Sequence, residues 1–200
     1  MKELLPDVFT WSWLSPRHGY NFNGYLVRLP LGNVCIDPAE MPDEVLDELA
    51  RQGVTSILLT NRNHVRATEK VRSKTGAPVF IHPADAPEAE RLGATIDDYL
   101  EVGQSIGPLI VHPASGKSPG EVCLFWPERK TLFMGDACIG NPPGQCSLLP
   151  DKVMEDPLAL RRYLRRIASE LEFDALLLGD GAPILQGGRQ ALATLVATFH

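Results

Sequence analysis

The sequence contains no long hydrophobic run, no excess of basic residues and no cysteine pair in a C-x-x-C spacing. A membrane-spanning helix needs about 18 or more consecutive apolar residues, and no stretch comes near that length. The formal net charge of −6 argues against nucleic acid or an anionic membrane surface as a partner. No export signal is evident, so the four cysteines are expected to be reduced thiols in a cytoplasm.

What is present is typical of a folded globular protein. Hydrophobic residues make up 44% of the 200 residues and charged residues 22%, which excludes a disordered or collagen-like chain. The 17 glycines and 17 prolines are spread along the chain as turn residues rather than gathered in a linker. This pattern predicts a single domain over residues 1–200.

Short apolar runs alternate with amphipathic segments. Residues 25–28 and 33–37 read as a hairpin, and the apolar run 56–60 reads as a strand buried on both faces. A clear helix starts at Asp156-Pro157, since apolar residues recur there on one face at helical spacing. The order, a hairpin and then strands alternating with helices, predicts mixed β-sheets covered by helices.

Five segments, taken in chain order, resemble the motif loops of the metallo-β-lactamase superfamily. They are N-F-N-G-Y-L-V-R with N-V-C-I-D-P (21–38), I-L-L-T-N-R-N-H-V-R (57–66), H-P-A-S-G-K-S-P-G-E-V-C-L-F (112–125), P-E-R-K-T-L-F-M-G-D-A-C-I-G (127–140) and L-L-L-G-D-G-A-P (176–183). The resemblance covers nearly the whole chain. It implies an α+β fold, a four-layer αβ/βα sandwich of two mixed sheets flanked by helices. It also implies a metal site, often zinc, that hydrolyses thioesters, lactams, lactones or phosphoesters.

The resemblance fails at most of the family's metal-ligand positions. Those positions fall on Asn61, Asn63, Val65, Arg66, Lys117, Asp136 and Asp180, and only Asp136 is the residue that the family uses. Zinc takes imidazole, thiolate or carboxylate ligands, whereas asparagine is a poor ligand and cationic side chains repel a metal ion. We therefore expect no zinc and no other cofactor at the family position, and the sequence assigns no catalytic residue.

An atypical metal centre is the alternative. His64 lies one residue after a family ligand position, and a centre built from His64, Asp136 and Asp180 has three donors of suitable chemistry. His112 and Cys138 are the other candidate pocket residues, because they lie within or beside the same motif loops.

The replaced positions follow a charge pattern. Arg66 and Lys117 are cations, while Asp136 and Asp180 are carboxylates. If the fold is kept, two fixed cations can offset two partly buried carboxylates, and burial makes such pairing nearly compulsory. The sequence predicts that Lys117 or Arg66 lies within salt-bridge distance of Asp136 or Asp180.

Three functional classes are compatible with these residues. The first is a pseudoenzyme, a monomer or a homo-oligomer, that binds a small anionic ligand or a protein partner and has no zinc-hydrolase activity. The second is a hydrolase with an atypical or weak metal centre. The third is a metal-free enzyme that uses Cys138 or Lys/Asp pairs. Fold alone does not select among them.

Overall fold

The structure is a computed structural model that describes residues 1–199. The chain divides into two compact units, the first Met1–Leu100 and the second beginning at Glu101. Each unit has one β-sheet with helices packed against it.

The sheet of the first unit has seven strands in chain order. They are β1 (Lys2–Leu5), β2 (Val8–Leu14), β3 (Asn21–Val27), β4 (Asn33–Ile36), β5 (Val54–Leu59), β6 (Val79–Ile81) and β7 (Asp98–Tyr99). Strands β1 to β4 pair antiparallel, and β4 to β7 pair parallel. The carboxyl ends of β4, β5 and β6 therefore lie at one edge of the sheet.

Three helices connect the parallel strands of this unit: α1 (Asp43–Gln52), α2 (Thr68–Thr75) and α3 (Ala86–Arg91). Leu49 of α1 and Val71 of α2 pack with Ile57 and Leu59 of β5 in one apolar cluster. Leu58, which points to the opposite face of β5, is also fully buried. The strand is thus buried on both faces, as its continuous apolar run predicts.

The sheet of the second unit has five strands in the order β12-β11-β10-β9-β8. They are β8 (Ser105–Ile106), β9 (Leu109–Pro113), β10 (Val122–Trp126), β11 (Thr131–Met134) and β12 (Ala175–Leu178). Only the β11–β12 pair among these is parallel, so the carboxyl ends of β11 and β12 meet at one edge.

Two longer helices cover this sheet: α4 (Pro157–Glu170) and α5 (Gly188–Val196). Helix α4 begins at a capping residue, Asp156, whose carboxylate accepts a hydrogen bond from the Ala159 amide at 2.8 Å. Its buried side chains Leu160, Leu164 and Ile167 pack against the sheet, as their spacing predicts.

The predicted mixed sheets with covering helices are confirmed. The patterning of the sequence did not predict the first two strands, β1 and β2, or the two-residue strands β7 and β8. Strand β2 pairs with β1 and β3 through backbone hydrogen bonds. Its last three residues, Ser12, Trp13 and Leu14, are all exposed, so buried and exposed side chains do not alternate along the strand, and the sequence lacks the pattern that predicts a strand. Among the described residues, no helix is both long and apolar enough to cross a membrane.

Candidate functional site

In the first unit, a buried polar cluster forms where β4 and β5 end. Asp37 directly follows β4 and Thr60 directly follows β5, and the parallel pairing of these strands brings the two residues together. The Asp37 carboxylate accepts hydrogen bonds from the Thr60 amide at 2.8 Å and from the Thr60 hydroxyl at 2.6 Å. Both residues are almost completely buried, so the carboxylate is held rigidly by its donors.

His64 belongs to the same cluster. It lies in a single 3-10 turn, Arg62–Val65, and its side chain is fully buried. Its Nδ1 lies 2.8 Å from Asp37 Oδ2 and 3.2 Å from Thr60 Oγ1. Since the Thr60 hydroxyl already donates to Asp37 Oδ2, we assign the Nδ1 proton to the bond with Asp37. With this assignment, a neutral ring would carry its lone pair on Nε2.

This arrangement is the one that orients metal-binding histidines in proteins. A carboxylate on one ring nitrogen fixes the tautomer and raises the basicity of the other nitrogen, the one that binds the metal. Neither Asp37 nor Thr60 was predicted to be a site residue. Both stand in motif segments, I-D-P and I-L-L-T, and that position was the available signal.

Asn61 and Asn63 differ in their surroundings, although both stand at metal-ligand positions of the family. The fully buried Asn61 caps the 3-10 turn, because its side-chain oxygen accepts a hydrogen bond from the Asn63 amide at 2.8 Å. Asn63 itself is exposed. Asparagine at position 61 therefore stabilises the backbone turn that carries His64.

Val65 and Arg66 complete the family's ligand positions in this unit. Val65 packs against the apolar cluster beneath the helices. The Arg66 guanidinium lies 4.0 Å from the centre of the Phe22 ring, a cation–π contact. The structure thus gives Val65 a packing role and gives Arg66 an aromatic partner in its own unit.

In the second unit, the carboxyl ends of β11 and β12 carry the two aspartates. Asp136 follows β11 and Asp180 follows β12, and each residue is 5% exposed. Lys117 Nζ lies 3.0 Å from Asp136 Oδ2, and the lysine side chain is only 10% exposed. The predicted salt bridge between a replaced ligand position and Asp136 is confirmed.

Two glycines allow the loops beside these aspartates to approach closely. The Gly140 amide donates to the Asp180 carbonyl at 2.9 Å, and the Ala182 amide donates to the Gly140 carbonyl at 2.8 Å. A Cβ atom on Gly181 would overlap the Gly140 carbonyl, and one on Gly140 would overlap the Ala182 carbonyl. These contacts fix the backbone on both sides of Asp180.

His112 lies on β9 against helix α4. Its ring meets Phe125 edge-on at 6.0 Å, and it shares a small cavity with Tyr163, Arg166 and Glu170 of the helix. Burial lowers the pKa of His112, with Glu170 opposing the shift. His112 is therefore mainly a neutral packing residue under α4 at neutral pH.

Cys138 is fully buried in the apolar core of the second unit. A hydrogen bond with Cys146, and then burial, raise the pKa of the Cys138 thiol well above its ordinary value. A buried, protonated thiol is a poor nucleophile toward a substrate from solvent. These two properties argue against the hypothesis that Cys138 is the nucleophile of a metal-free enzyme.

Comparison with known proteins identifies the family. The profile of the Metallo-beta-lactamase superfamily matches residues 1–199. The chain belongs to the metallo-β-lactamase superfamily. The predicted family and fold class are thereby confirmed, and the match runs through both compact units.

Curated relatives of the chain within this superfamily include hydroxyacylglutathione hydrolases. The protein of that name from Anaeromyxobacter dehalogenans (strain 2CP-C) is 32% identical over 136 residues, or 65% of this chain and 52% of the relative. The one from Cereibacter sphaeroides (strain ATCC 17029 / ATH 2.4.9) is 32% identical over 107 residues, or 50% of this chain and 41% of the relative. The chain thus matches about half the length of these relatives or less.

Solved structures share the fold over almost all of the chain. The crystal structure of TTHA1623 in a di-iron-bound form has a TM-score of 0.74 and 27% identity, covering 94% of this chain and 98% of its own. The metallo-β-lactamase from Pontibacter korlensis has a TM-score of 0.80 and 19% identity, covering 99% and 98%. Because the Pontibacter korlensis protein is only 19% identical to this chain, its similarity shows the fold alone.

Proposed function

We propose that this chain is a metal-dependent hydrolase with an atypical metal centre, in which His64, Asp136 and Asp180 hold one divalent cation. The observation that carries the proposal is the buried His64 imidazole with its Nδ1 against the Asp37 carboxylate at 2.8 Å. Further support is the chemistry of the three side chains, one imidazole and two carboxylates, which belong to residues that are almost completely buried. The curated relatives, which are named as hydrolases, favour the same conclusion.

The chemistry of the donors fits one divalent cation. One imidazole nitrogen and two carboxylate oxygens make three protein ligands. Many catalytic metal sites have this number of protein ligands and leave a further coordination position open for water or substrate. Imidazole and carboxylate also suit iron and manganese. The di-iron form belongs to the related TTHA1623 protein. With most of the family's ligands replaced, this chain is expected to hold one ion and to hold it weakly.

Lys117 limits the affinity of such a centre. Its ammonium group lies 3.0 Å from Oδ2 of Asp136, one of the carboxylate oxygens that would serve a cation. A fixed positive charge at this distance lowers the affinity of any divalent ion, since like charges repel strongly where water is scarce. The same ammonium attracts an anionic group of a substrate.

The proposed reaction is the hydrolysis of a thioester of the hydroxyacylglutathione class. Water adds to the thioester carbonyl and the thiol leaves, so the products are a hydroxy acid and glutathione. A bound divalent cation would supply Lewis acidity toward the carbonyl oxygen. Asp37 holds the His64 ring in its tautomer, and Lys117 provides positive charge near Asp136 for an anionic group of the substrate.

Metal binding and thioester hydrolysis test this function together. Protein stripped with a chelator is dialysed against Zn²⁺, Mn²⁺ or Fe²⁺ under nitrogen, and bound metal is measured by mass spectrometry. Hydrolysis of lactoylglutathione is followed by the loss of thioester absorbance. We expect about one ion per chain and a rate that disappears on chelation and returns with metal.

Three variants locate the centre. Asp180→Asn removes a charged donor without changing its shape and should abolish both metal binding and hydrolysis. Asp37→Asn keeps every proposed ligand but loses the carboxylate on His64, which typically weakens metal affinity by about 10- to 100-fold. Asp98→Asn, on the exposed edge strand β7, is the matched control and should behave as the wild type. Less than a tenth of an ion per chain, with no hydrolysis under any metal, would refute the proposal.

The Lys117–Asp136 ion pair favours a second function, a binding protein for a small anionic ligand. The pair neutralises Asp136 without a metal, as expected where a metal site has been lost. This function is supported instead if the stripped protein binds glutathione or a hydroxy acid by calorimetry and Lys117→Met abolishes that binding.

A further inference from the structure

Two cysteines of the second unit flank a short antiparallel bridge. Ile139 and Ser147 exchange both of their backbone hydrogen bonds, at 2.9 and 3.0 Å. Cys138 precedes the first of these residues and Cys146 precedes the second. Because side chains alternate along extended backbone, the two cysteines project on the same side of the bridge. Both side chains pack in the apolar cluster between the sheet and its helices.

The two thiols differ in exposure but interact with each other. Cys138 is fully buried, and its Sγ also lies 3.3 Å from Met134 Sδ. Cys146 is partly exposed and lines a surface groove of about 650 Å³, beside Gly187 and Leu195. The hydrogen bond from Cys138 lowers the pKa of Cys146, which favours the thiolate form of the accessible thiol although burial opposes the shift.

We propose that Cys146 and Cys138 are a peroxide-sensitive dithiol that oxidises to an intramolecular disulfide. The Cys146 thiolate attacks one oxygen of hydrogen peroxide; the other oxygen leaves as hydroxide, takes a proton and becomes water, and Cys146 becomes a sulfenic acid. The Cys138 thiol then attacks the Cys146 sulfur, forms the S–S bond and releases the sulfenic oxygen as a second water. Two thiols and one peroxide thus give one disulfide and two waters.

The exposure of the two thiols sets the order of these steps. An oxidant from solvent reaches Cys146 from the groove, whereas Cys138 has no exposed surface. Cys138 can act only on a partner already beside it, which is the role of a resolving thiol. The other two cysteines, Cys35 and Cys123, are also fully buried, and burial raises the pKa of each thiol far above its usual range. They serve as internal controls.

The chain offers a direct readout of this disulfide. Neither Lys nor Arg occurs between Lys130 and Lys152, so trypsin releases residues 131–152 as one peptide with both cysteines. The full-length protein is treated with hydrogen peroxide in chelating buffer, unfolded, alkylated and digested without reduction. We expect peptide 131–152 to lose two hydrogen atoms in mass and to carry no alkyl group, while the Cys35 and Cys123 peptides remain alkylated. Reduction before alkylation should restore two alkyl groups to peptide 131–152.

Single-cysteine variants separate the two roles. Cys138→Ala keeps the core apolar, and its Cys146 should accumulate as a sulfenic acid that dimedone traps at several times the wild-type level. In Cys146→Ser, Cys138 should remain a thiol under the same peroxide treatment. The proposal is overturned if wild-type peptide 131–152 still takes two alkyl groups after peroxide, if dimedone labels the wild type as strongly as Cys138→Ala, or if oxidation yields chiefly disulfide-linked dimers.

Discussion

Replacing Lys117 by methionine removes the cation from Asp136 while keeping a side chain of similar length. The two charged atoms are 3.0 Å apart, and the side chains are 10% and 6% exposed, so water cannot fully replace the lost partner. Breaking such a buried pair typically costs about 3–5 kcal/mol, because the remaining charge is left without a partner. We expect Lys117→Met to lose stability in that range.

That loss converts into a shift of the melting temperature. The entropy of unfolding is about 2.1 cal/mol/K per residue, which gives about 0.42 kcal/mol/K for 200 residues. A loss of about 3–5 kcal/mol then lowers Tm by about 7–12 °C. Differential scanning calorimetry at neutral pH measures this, with chelator present so that adventitious metal does not stabilise the folded protein.

Two further variants test the cause. Lys152→Met removes a lysine from the exposed turn Asp151–Val153, and its Tm should stay within about 1 °C of the wild type. The double variant Lys117→Met/Asp136→Asn should be more stable than Lys117→Met alone, since it also removes the stranded charge. If Lys117→Met melts within about 2 °C of the wild type, the pair is not a buried ion pair and the reasoning fails.

With metal restored, Lys117→Met should gain more stability than the wild type, because its site no longer holds a competing cation.

Two other features give simple tests. Gly181→Ala should lower Tm much more than Gly144→Ala: both glycines have a positive φ, at 84° and 82°, but only at Gly181 would the new Cβ meet backbone, the Gly140 carbonyl. Equal losses in thermal denaturation would contradict the packing argument. Burial lowers the pKa of His112 in the folded state, so the unfolded chain binds a proton first, and stability should fall as pH drops below the unfolded value of about 6.5. In urea titrations between pH 5 and 7, His112→Gln should show a shallower decline than the wild type, and an unchanged slope would count against this assignment.

Local patterns in the sequence were sufficient for much of the fold. The apolar spacing of α4, the capping Asp156 and the buried run of β5 depend on residues close together in the chain, so they could be recognised one segment at a time. The order of the motif segments indicated the family. The replacement of the family's metal ligands by Lys117 and other residues could also be predicted from the sequence, because that prediction needs only the residue types at the family's ligand positions.

The sequence also predicted a cation beside Asp136. It did so from charge alone: a carboxylate at a lost metal site needs a positive neighbour, and Lys117 stands at a former ligand position. Arg66 was an equal candidate by that argument. Its placement on Phe22 could not be predicted, because it depends on how β3 and the 3-10 turn are placed in the folded unit.

Tertiary structure decided the details on which the proposed function depends. The pairing of His64 with Asp37 joins residues 27 positions apart, and it arises only because β4 and β5 lie side by side in parallel. Asn61, which looks like a lost ligand in the sequence, proves to be the cap of the turn that carries His64. The contact between Cys138 and Cys146 likewise follows from the bridge at Ile139 and Ser147. Such contacts require strand register and loop path, which no local pattern of residues encodes.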